Sequence, residues 1–448
     1  MNDTIFAPAT SSGRSAIAVV RISGPGARTV LRSLGCSVPP PRQARVRRLL
    51  HPVSRETLDE ALVLFMPGPS SFTGEDTVEL HLHGGPAVVG GVLDALDGAD
   101  VRPANPGEFT RRAFEHGRLD LVEAEAIADL IDAESAAQRR LALQQLSGGT
   151  TRMLAAWRGA LIEALALLEA AIDFPDEDIP NGIVGRADAP LRRLLEELTT
   201  AAADLRGDRV RSGYRVALVG APNAGKSSVL NGLIGRDAVI VTDVAGTTRD
   251  IIEHPIDLAG YRVVLADMAG LRVTDQSIEA EGVRRARAYA AEADLRLWVV
   301  DGSAEGDGWR EGVDLLRTGD IALLNKSDLM SGAALSAAND VADALEMEPV
   351  EGSATEAGGL VELRAVLESR VVRELGAGPA PAATRLRHRR LIAEAAEHLA
   401  RAVGGSASDP ELMAEDLRLA SRSLESLTGA ISTEAVLDAV FANFCIGK

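Results

Sequence analysis

The 448-residue chain is 46% hydrophobic and 25% charged, enough apolar content for a buried core in each of roughly two to four domains. Its formal net charge of -18 argues against a protein that coats nucleic acid by neutralising phosphates, and two cysteines, Cys36 and Cys445, exclude a zinc cluster and a disulfide framework. No stretch approaches the roughly 20 uncharged apolar residues of a membrane span, and the start, MNDTIFAPATSSGRS, lacks the basic-then-apolar order of a signal peptide, so a cytoplasmic protein with no membrane association is expected.

Along the chain, AIAVVRIS (16–23), ALVLFM (61–66) and TVELHLH (77–83) read as strands, the last with clean apolar and polar alternation. Gly and Pro clusters separate them, and an α+β domain over 1–118 is expected. The arginines of RQARVRRLL (42–50) and of RLRHRRL (385–391) read either as solvated faces or as RNA or partner contacts. From Leu119 long Ala-rich runs of 3.6-residue period follow, LDLVEAEAIADLIDAESAAQRRLALQQL and then MLAAWRGALIEALALLEAAI, interrupted at Ser147-Gly148-Gly149. This helical domain, 119–211, is followed by alternating strand and helix signals over 212–375. GAGPAPAA (376–383) is a linker by composition, and helical periodicity resumes after it, so 376–448 is read as the second part of the helical domain. The fold class is therefore multidomain α/β plus α, with an α/β domain inserted in a helical one.

YRVALVG-APNAGKSS carries the phosphate-loop pattern from Gly220 to Ser227 between an apolar strand and a helix. Glycines let backbone N–H groups face the phosphates, Lys226 reaches the outer ones, and the Ser227 hydroxyl suits Mg²⁺. Thr248 in GTTRD, Asp267 and Gly270 in DMAG, and NKSD at Asn325 to Asp328 complete the set. The Asp328 carboxylate accepts from the ring N–H and the exocyclic amino group of guanine, whereas adenine would leave it unpaired, so the nucleotide is GTP. Ser353 and Ala354 stand where the last guanine loop of such domains lies.

Many GTPases orient the attacking water with a Gln directly after the Asp-x-x-Gly segment, but this chain has Leu271 there. Asn223 could instead seat a monovalent cation beside the phosphates, and Glu279 or Glu281 could hold water, or all three are ordinary solvated residues. His81 and His83 share one strand face, as metal ligands would, yet no third ligand is visible near them.

RISG (21–24), PGPSSFTGEDTVELHLHGGP (67–86), NPGEFTRRAF (105–114), LDLVEAEAIADLIDA (119–133), AAIDFPDE (170–177), PNAGKSS, AGTTRD and the terminal FCIGK together resemble the MnmE (TrmE) family of bacterial tRNA modification GTPases along the whole chain. The resemblance implies an amino-terminal domain that binds a one-carbon tetrahydrofolate and dimerises, and a Ras-like G domain inserted in the helical domain. It implies GTP hydrolysis stimulated by K⁺ when two G domains meet. A heterotetramer with MnmG, a partner that uses FAD and NADH, would modify carbon 5 of the wobble uridine in certain tRNAs with an aminomethyl-type group.

Carried onto this sequence, the GTP contacts are Asn223, Ala224, Gly225, Lys226, Ser227 and Ser228; Thr242, Asp243, Val244, Ala245, Gly246, Thr247 and Thr248; Asp267, Met268, Ala269 and Gly270; Asn325, Lys326, Ser327 and Asp328; and Ser353 and Ala354. The resemblance gives K⁺ to Asn223, Thr242, Val244 and Thr247, and Mg²⁺ to Ser227 and Thr248. Glu279, twelve residues after Asp267, becomes the water-positioning carboxylate, so the catalytic set is Glu279, Lys226 and Asn223. Folate contacts carry over to Arg21, Glu79, Arg118 and Lys448, with Cys445 a candidate for chemistry or a buried anchor of the tail. Met268 replaces the usual Thr, and Arg118 stands where a Lys is also found, which keeps charge but changes donor geometry. Two other classes are weighed: a ribosome-assembly or RNA-binding GTPase switch without covalent chemistry, which usually carries a basic RNA-binding module not evident in this acidic chain, and a dimerisation protein with a vestigial G domain, against which the intact Lys226, Asp267 and Asp328 argue.

Overall fold

The computed structural model describes residues 3–97, 101–173, 183–235, 253–267, 276–304, 310–329, 332–404, 409–431, 434–442, 444 and 447. The chain forms two compact units, one of Met1–Ile131, Gln144–Glu196 and Leu391–Lys448, the other of Asp132–Leu143 and Glu197–Arg390. Among the described residues no helix is long and apolar enough to cross a membrane.

The first unit holds a six-stranded sheet of β1 (Ile5–Pro8), β2 (Ile17–Ser23), β3 (Arg45–Leu50), β4 (Thr57–Met66), β5 (Thr77–His83) and β6 (Arg102–Pro103), in the order β3-β4-β5-β2-β1-β6. All its pairings are antiparallel except β1 with β6. In β5 the period-2 pattern sends Val78, Leu80 and Leu82 into a core with Val20 and Ile22 of β2 and Val30, Leu31, Val92 and Leu96 of helices Ala27–Ser33 and Pro86–Asp97. Glu79 and His81 therefore face the opposite side, as does Arg21. The arginine-rich stretch 42–50, read from charge alone as a surface or contact, contains an edge strand: Leu49 is buried and the Arg48 guanidinium pairs with Glu60 across β4 at 3.0 Å. A strand with one neighbour buries few side chains, which left its alternation too weak to see.

The helical run 119–146 is broken at residues 132–135 into Leu121–Ile131 and Ala136–Leu146. The cause is local chemistry. Ser135 Oγ accepts the Gln138 N–H at 3.3 Å while Gln138 Oε1 accepts the N–H groups of Glu134 and Ser135, each at 2.9 Å, so the sequence SAAQ is a capping box. Helix Leu121–Ile131 starts the same way, from Asp120 and Glu123.

In the second unit β7 (Tyr214–Val219), β8 (Glu253–Leu258), β9 (Tyr261–Asp267), β10 (Leu295–Asp301), β11 (Ile321–Asn325) and β12 (Glu348–Glu351) form a sheet in the order β12-β11-β10-β7-β9-β8. It is parallel apart from β8, which runs antiparallel to β9. Parallel strands are covered on both faces, and YRVALV and IALLN are accordingly near-continuous apolar runs. Val229, Leu233, Leu363 and Leu367 of helices Lys226–Ile234 and Val361–Gly376 cover one face; Ala290, Ala338 and Ala342 of helices Gln276–Glu292 and Gly332–Ala344 cover the other. This is the architecture of a Ras-like P-loop domain. The stretch 376–383, a linker by composition, is tied down: Arg206 Nη2 donates to Pro379 O at 3.2 Å, Arg211 Nε donates to Thr384 O at 2.9 Å, and Ala382 and Ala383 are buried.

Candidate functional site

In a doubly wound sheet, ligands gather where the carboxyl ends of the strands open. At that edge β7 ends and the chain wraps from Gly220 to helix Lys226–Ile234, with Asn223 left-handed at φ 67° and Gly225 at φ 96°. A Cβ at Gly225 would fall 2.2 Å from Asn325 Nδ2, so glycine is required there twice over, by φ and by space. The Lys226 ammonium is buried and donates to the carbonyls of Gly220 and Ala221 at 2.7 and 2.8 Å. Burial pushes its pKa down, while Asp267 and Glu311 pull the other way.

Ser227 Oγ donates to Asp267 Oδ2 at 2.5 Å, so two hard oxygen donors converge beside the loop. That donor set fits Mg²⁺. For a K⁺ site, Asn223 is exposed on its left-handed turn, and its proposed co-ligands Thr242, Val244 and Thr247 lie outside the described residues. So do Asp243, Ala245, Gly246, Thr248, Met268, Ala269 and Gly270. Glu279 and Glu281 fall on helix Gln276–Glu292, but their side chains are outside the described set.

On the other side of the loop, Asn325 at the end of β11 is buried; its Nδ2 donates to Ala224 O at 2.8 Å and its Oδ1 accepts the Ala354 N–H at 3.1 Å. Lys326 takes φ 60° and pairs with Asp301 at 2.5 Å. Burial pushes the Asp301 carboxyl up, but Lys326 and Ser303 hold it below the ordinary range. Ser327 N–H donates to Gly352 O at 3.1 Å, Ser353 is buried, and Asp328 stands exposed on the turn Ser327–Leu329. The phosphate loop, the NKSD turn and the Ser353-Ala354 loop thus form one hydrogen-bonded frame. Asp301 was not singled out in the sequence, where the only signal was its place at the end of the apolar strand LRLWVVD.

A second group lies on the polar face of the first unit's sheet. Arg21 and Glu79 are directly opposite in the β2–β5 register, and Arg21 Nη2 donates to Glu79 Oε1 at 2.9 Å. The Arg21 guanidinium also sits 5.4 Å from the Phe72 ring and 5.7 Å from the Phe109 ring. A carboxylate, a guanidinium and the half-buried Phe72 ring, backed by the fully buried Phe109, fit a flat heterocycle with a donor edge and an acidic tail. Arg118 is exposed on the turn after helix Glu108–Glu115 and borders Gly74 of the loop that carries Phe72. Lys448 and Cys445 lie outside the described residues.

His81 Nε2 is 3.4 Å from Glu79, whereas His83 Nδ1 pairs with Asp59 at 2.7 Å, so the two histidines serve different carboxylates. The support beneath had no signal in the sequence: Arg112, fully buried, is paired with Asp3, Glu75 and Glu108, and Ser23 Oγ donates to Glu75 at 2.8 Å.

The family profile described as the GTP-binding protein TrmE N-terminus matches residues 4–118, and the MnmE helical domain profile matches 121–445. The tRNA modification GTPase MnmE of Phenylobacterium zucineum is 56% identical over 452 residues, covering 100% of both chains. Those of Caulobacter vibrioides and Maricaulis maris are 52% and 49% identical, again over 100% of each chain. Among solved structures, the FeoB G-domain from Methanococcus jannaschii aligns with 36% of this chain and 97% of its own at 25% identity, with a TM-score of 0.26.

Proposed function

This chain belongs to the MnmE family of tRNA modification GTPases, and on that premise we propose that K⁺-stimulated GTP hydrolysis drives wobble-uridine modification from a one-carbon tetrahydrofolate. It is a GTP hydrolase acting in tRNA modification. The observation that carries the proposal is the frame built by Asn325, which joins the phosphate loop at Ala224 to the base loop at Ala354.

In that frame Lys226 is a buried cation at the outer phosphates, Ser227 and Thr248 would hold Mg²⁺ with Asp267 beside Ser227, and Asp328 reads the guanine edge. Asn223 seats K⁺ and Glu279 orients the attacking water. Mg²⁺ and K⁺ would spread the charge that builds on the transferred phosphoryl group. Glu79 takes the donor edge of the pterin, and Arg21, Arg118 and Lys448 take its acidic tail. The protein acts in the cytoplasm as a homodimer and with an FAD- and NADH-dependent partner of the MnmG type, on tRNA.

The test is nucleoside mass analysis of tRNA from a strain lacking the protein. Loss of the C5 aminomethyl-type group at the wobble uridine is expected; intact modification with defective ribosome assembly would favour a GTPase switch without covalent chemistry. A chain ending at Asn443 should keep K⁺-stimulated hydrolysis and lose folate binding and tRNA modification.

A further inference from the structure

The carboxyl-terminal segment is fastened to the first unit at two levels. Leu437, Phe441 and Phe444 are buried with Leu121 and Ala124, and the Phe441 ring lies 6.3 Å from Phe114 and 5.6 Å from Phe444. Further on, Gly447 closes on β1: at φ 100°, a Cβ there would fall 2.0 Å from Pro8 O. Pro8 follows Ala7, which is in register with Arg21, and Arg21 is in register with Glu79. Gly447 therefore seats one residue along β1 from the row that holds the ion pair.

Packing alone does not set that seat. Helix Glu434–Phe441 has eight residues, too few to be stable by itself, and apolar burial is non-directional, so the helix could turn or slide on its aromatic contacts. Glu434 and Asp438 are spaced i, i+4 and share one helix face. Arg111 reaches both: Nη1 donates to Asp438 Oδ1 at 2.8 Å and Nη2 donates to Glu434 Oε1. Its Nε donates to Glu115 Oε1 at 2.9 Å, one turn along its own helix, which aims the fork. Leu437 and Phe441 make a second i, i+4 row, about 60° around the helix from the acidic one. One row held by burial and another held by a guanidinium fix the rotation of the helix. The Arg111 side chain is 19% exposed against 70% and 61% for Glu434 and Asp438, so the fold places the cation and the terminal helix docks to it.

The geometry points to Arg111 as a positioning residue: a clamp on Glu434 and Asp438 that sets the register in which Gly447 seats on β1 beside the Arg21–Glu79 pair. It acts through the helix it holds. Its relevance to the reaction rests on the proposed reading of that sheet face as the folate site.

The full-length protein tests this by carboxypeptidase Y trimming followed by intact mass. In Arg111→Glu, removal of the terminal residues from Lys448 back to Phe444 should be about tenfold faster than in the unaltered protein, because the terminal helix opens locally. GTP hydrolysis in K⁺ should be unchanged, and the thermal midpoint should move by no more than a few degrees, since the carboxylates of Glu434 and Asp438 are largely exposed. Adding Glu434→Lys and Asp438→Lys to Arg111→Glu should restore slow trimming, a rescue that a generally damaged fold would not show. Should Arg111→Glu fail to fold, Glu434→Gln with Asp438→Asn removes the clamp from the helix side. Binding of 5-formyltetrahydrofolate, followed by equilibrium dialysis, should weaken in parallel with faster trimming. Unchanged trimming in these variants overturns the inference; faster trimming with unchanged folate affinity supports the clamp and detaches it from the folate reading.

Discussion

The Asn325 side-chain amide donates to the Ala224 carbonyl at 2.8 Å, and so fastens the end of β11 to the phosphate loop. The same amide accepts the Ala354 N–H, which makes Asn325 a structural tie between the two halves of a nucleotide site. Asn325→Ala removes both hydrogen bonds from a buried position; at roughly 1 kcal/mol each, guanine nucleotide affinity should fall on the order of tenfold or more. Titration with a fluorescent GDP analogue measures it, and an affinity within twofold would mean that the frame does not organise the site.

Hydrolysis should rise strongly with K⁺ and weakly with Na⁺, because a seat beside Asn223 must suit a large, easily dehydrated ion. Asn223→Ala should abolish the difference. Equal steady-state rates of the unaltered protein in the two chloride salts would sink the cation proposal.

Glu279→Ala should lower kcat and leave GTP affinity within a few fold, as a group that orients water acts mainly in the transition state. Single-turnover rates beside equilibrium binding separate the two effects. Collapsed affinity with little further loss of turnover would make Glu279 a structural residue.

Asp328→Asn should weaken guanine binding by more than about tenfold and favour xanthine, whose carbonyl accepts from the new amide. Competition between GTP and XTP reads this directly. An unchanged base preference counts against the role given to NKSD.

Acid should weaken the first unit through Glu108. Burial pushes its carboxyl up, but hydrogen bonds from Arg102, the Asn105 N–H and Arg112 hold it below the ordinary carboxylate range. A depressed folded-state pKa gives stability that is complete above the unfolded value of about 4.3 and disappears as pH falls through the lower folded value. Melting temperature should therefore fall below about pH 4, and Glu108→Gln should be less stable at neutral pH with a flatter acid limb. Parallel acid limbs in the two proteins would place the titration elsewhere.

Local chemistry was legible wherever the deciding groups are neighbours in the chain. TVELHLH fixes which side of β5 is wet, GAPNAGKSS fixes a left-handed loop before a helix, and SAAQ carries a complete capping box even though the apolar period around it reads as one unbroken helix. The arginine-rich edge strand was hidden because a strand with a single neighbour shows too little alternation to outweigh its charge.

The order of amino acids sets the kind of each element and the residue types brought to the nucleotide, because backbone preference, side-chain period and short-range hydrogen bonds act over a few residues. Tertiary structure alone decided the partnerships across long separations. Arg21 meets Glu79 because β2 lies beside β5, Asn325 meets Ala224 because β11 ends near the loop after β7, and Arg111 meets Asp438 because the terminal helix packs on Leu121 and Phe114. Such contacts are set by the packing of apolar faces, which is non-directional and tolerant of sequence, so nothing near either residue announces the other until the fold has closed.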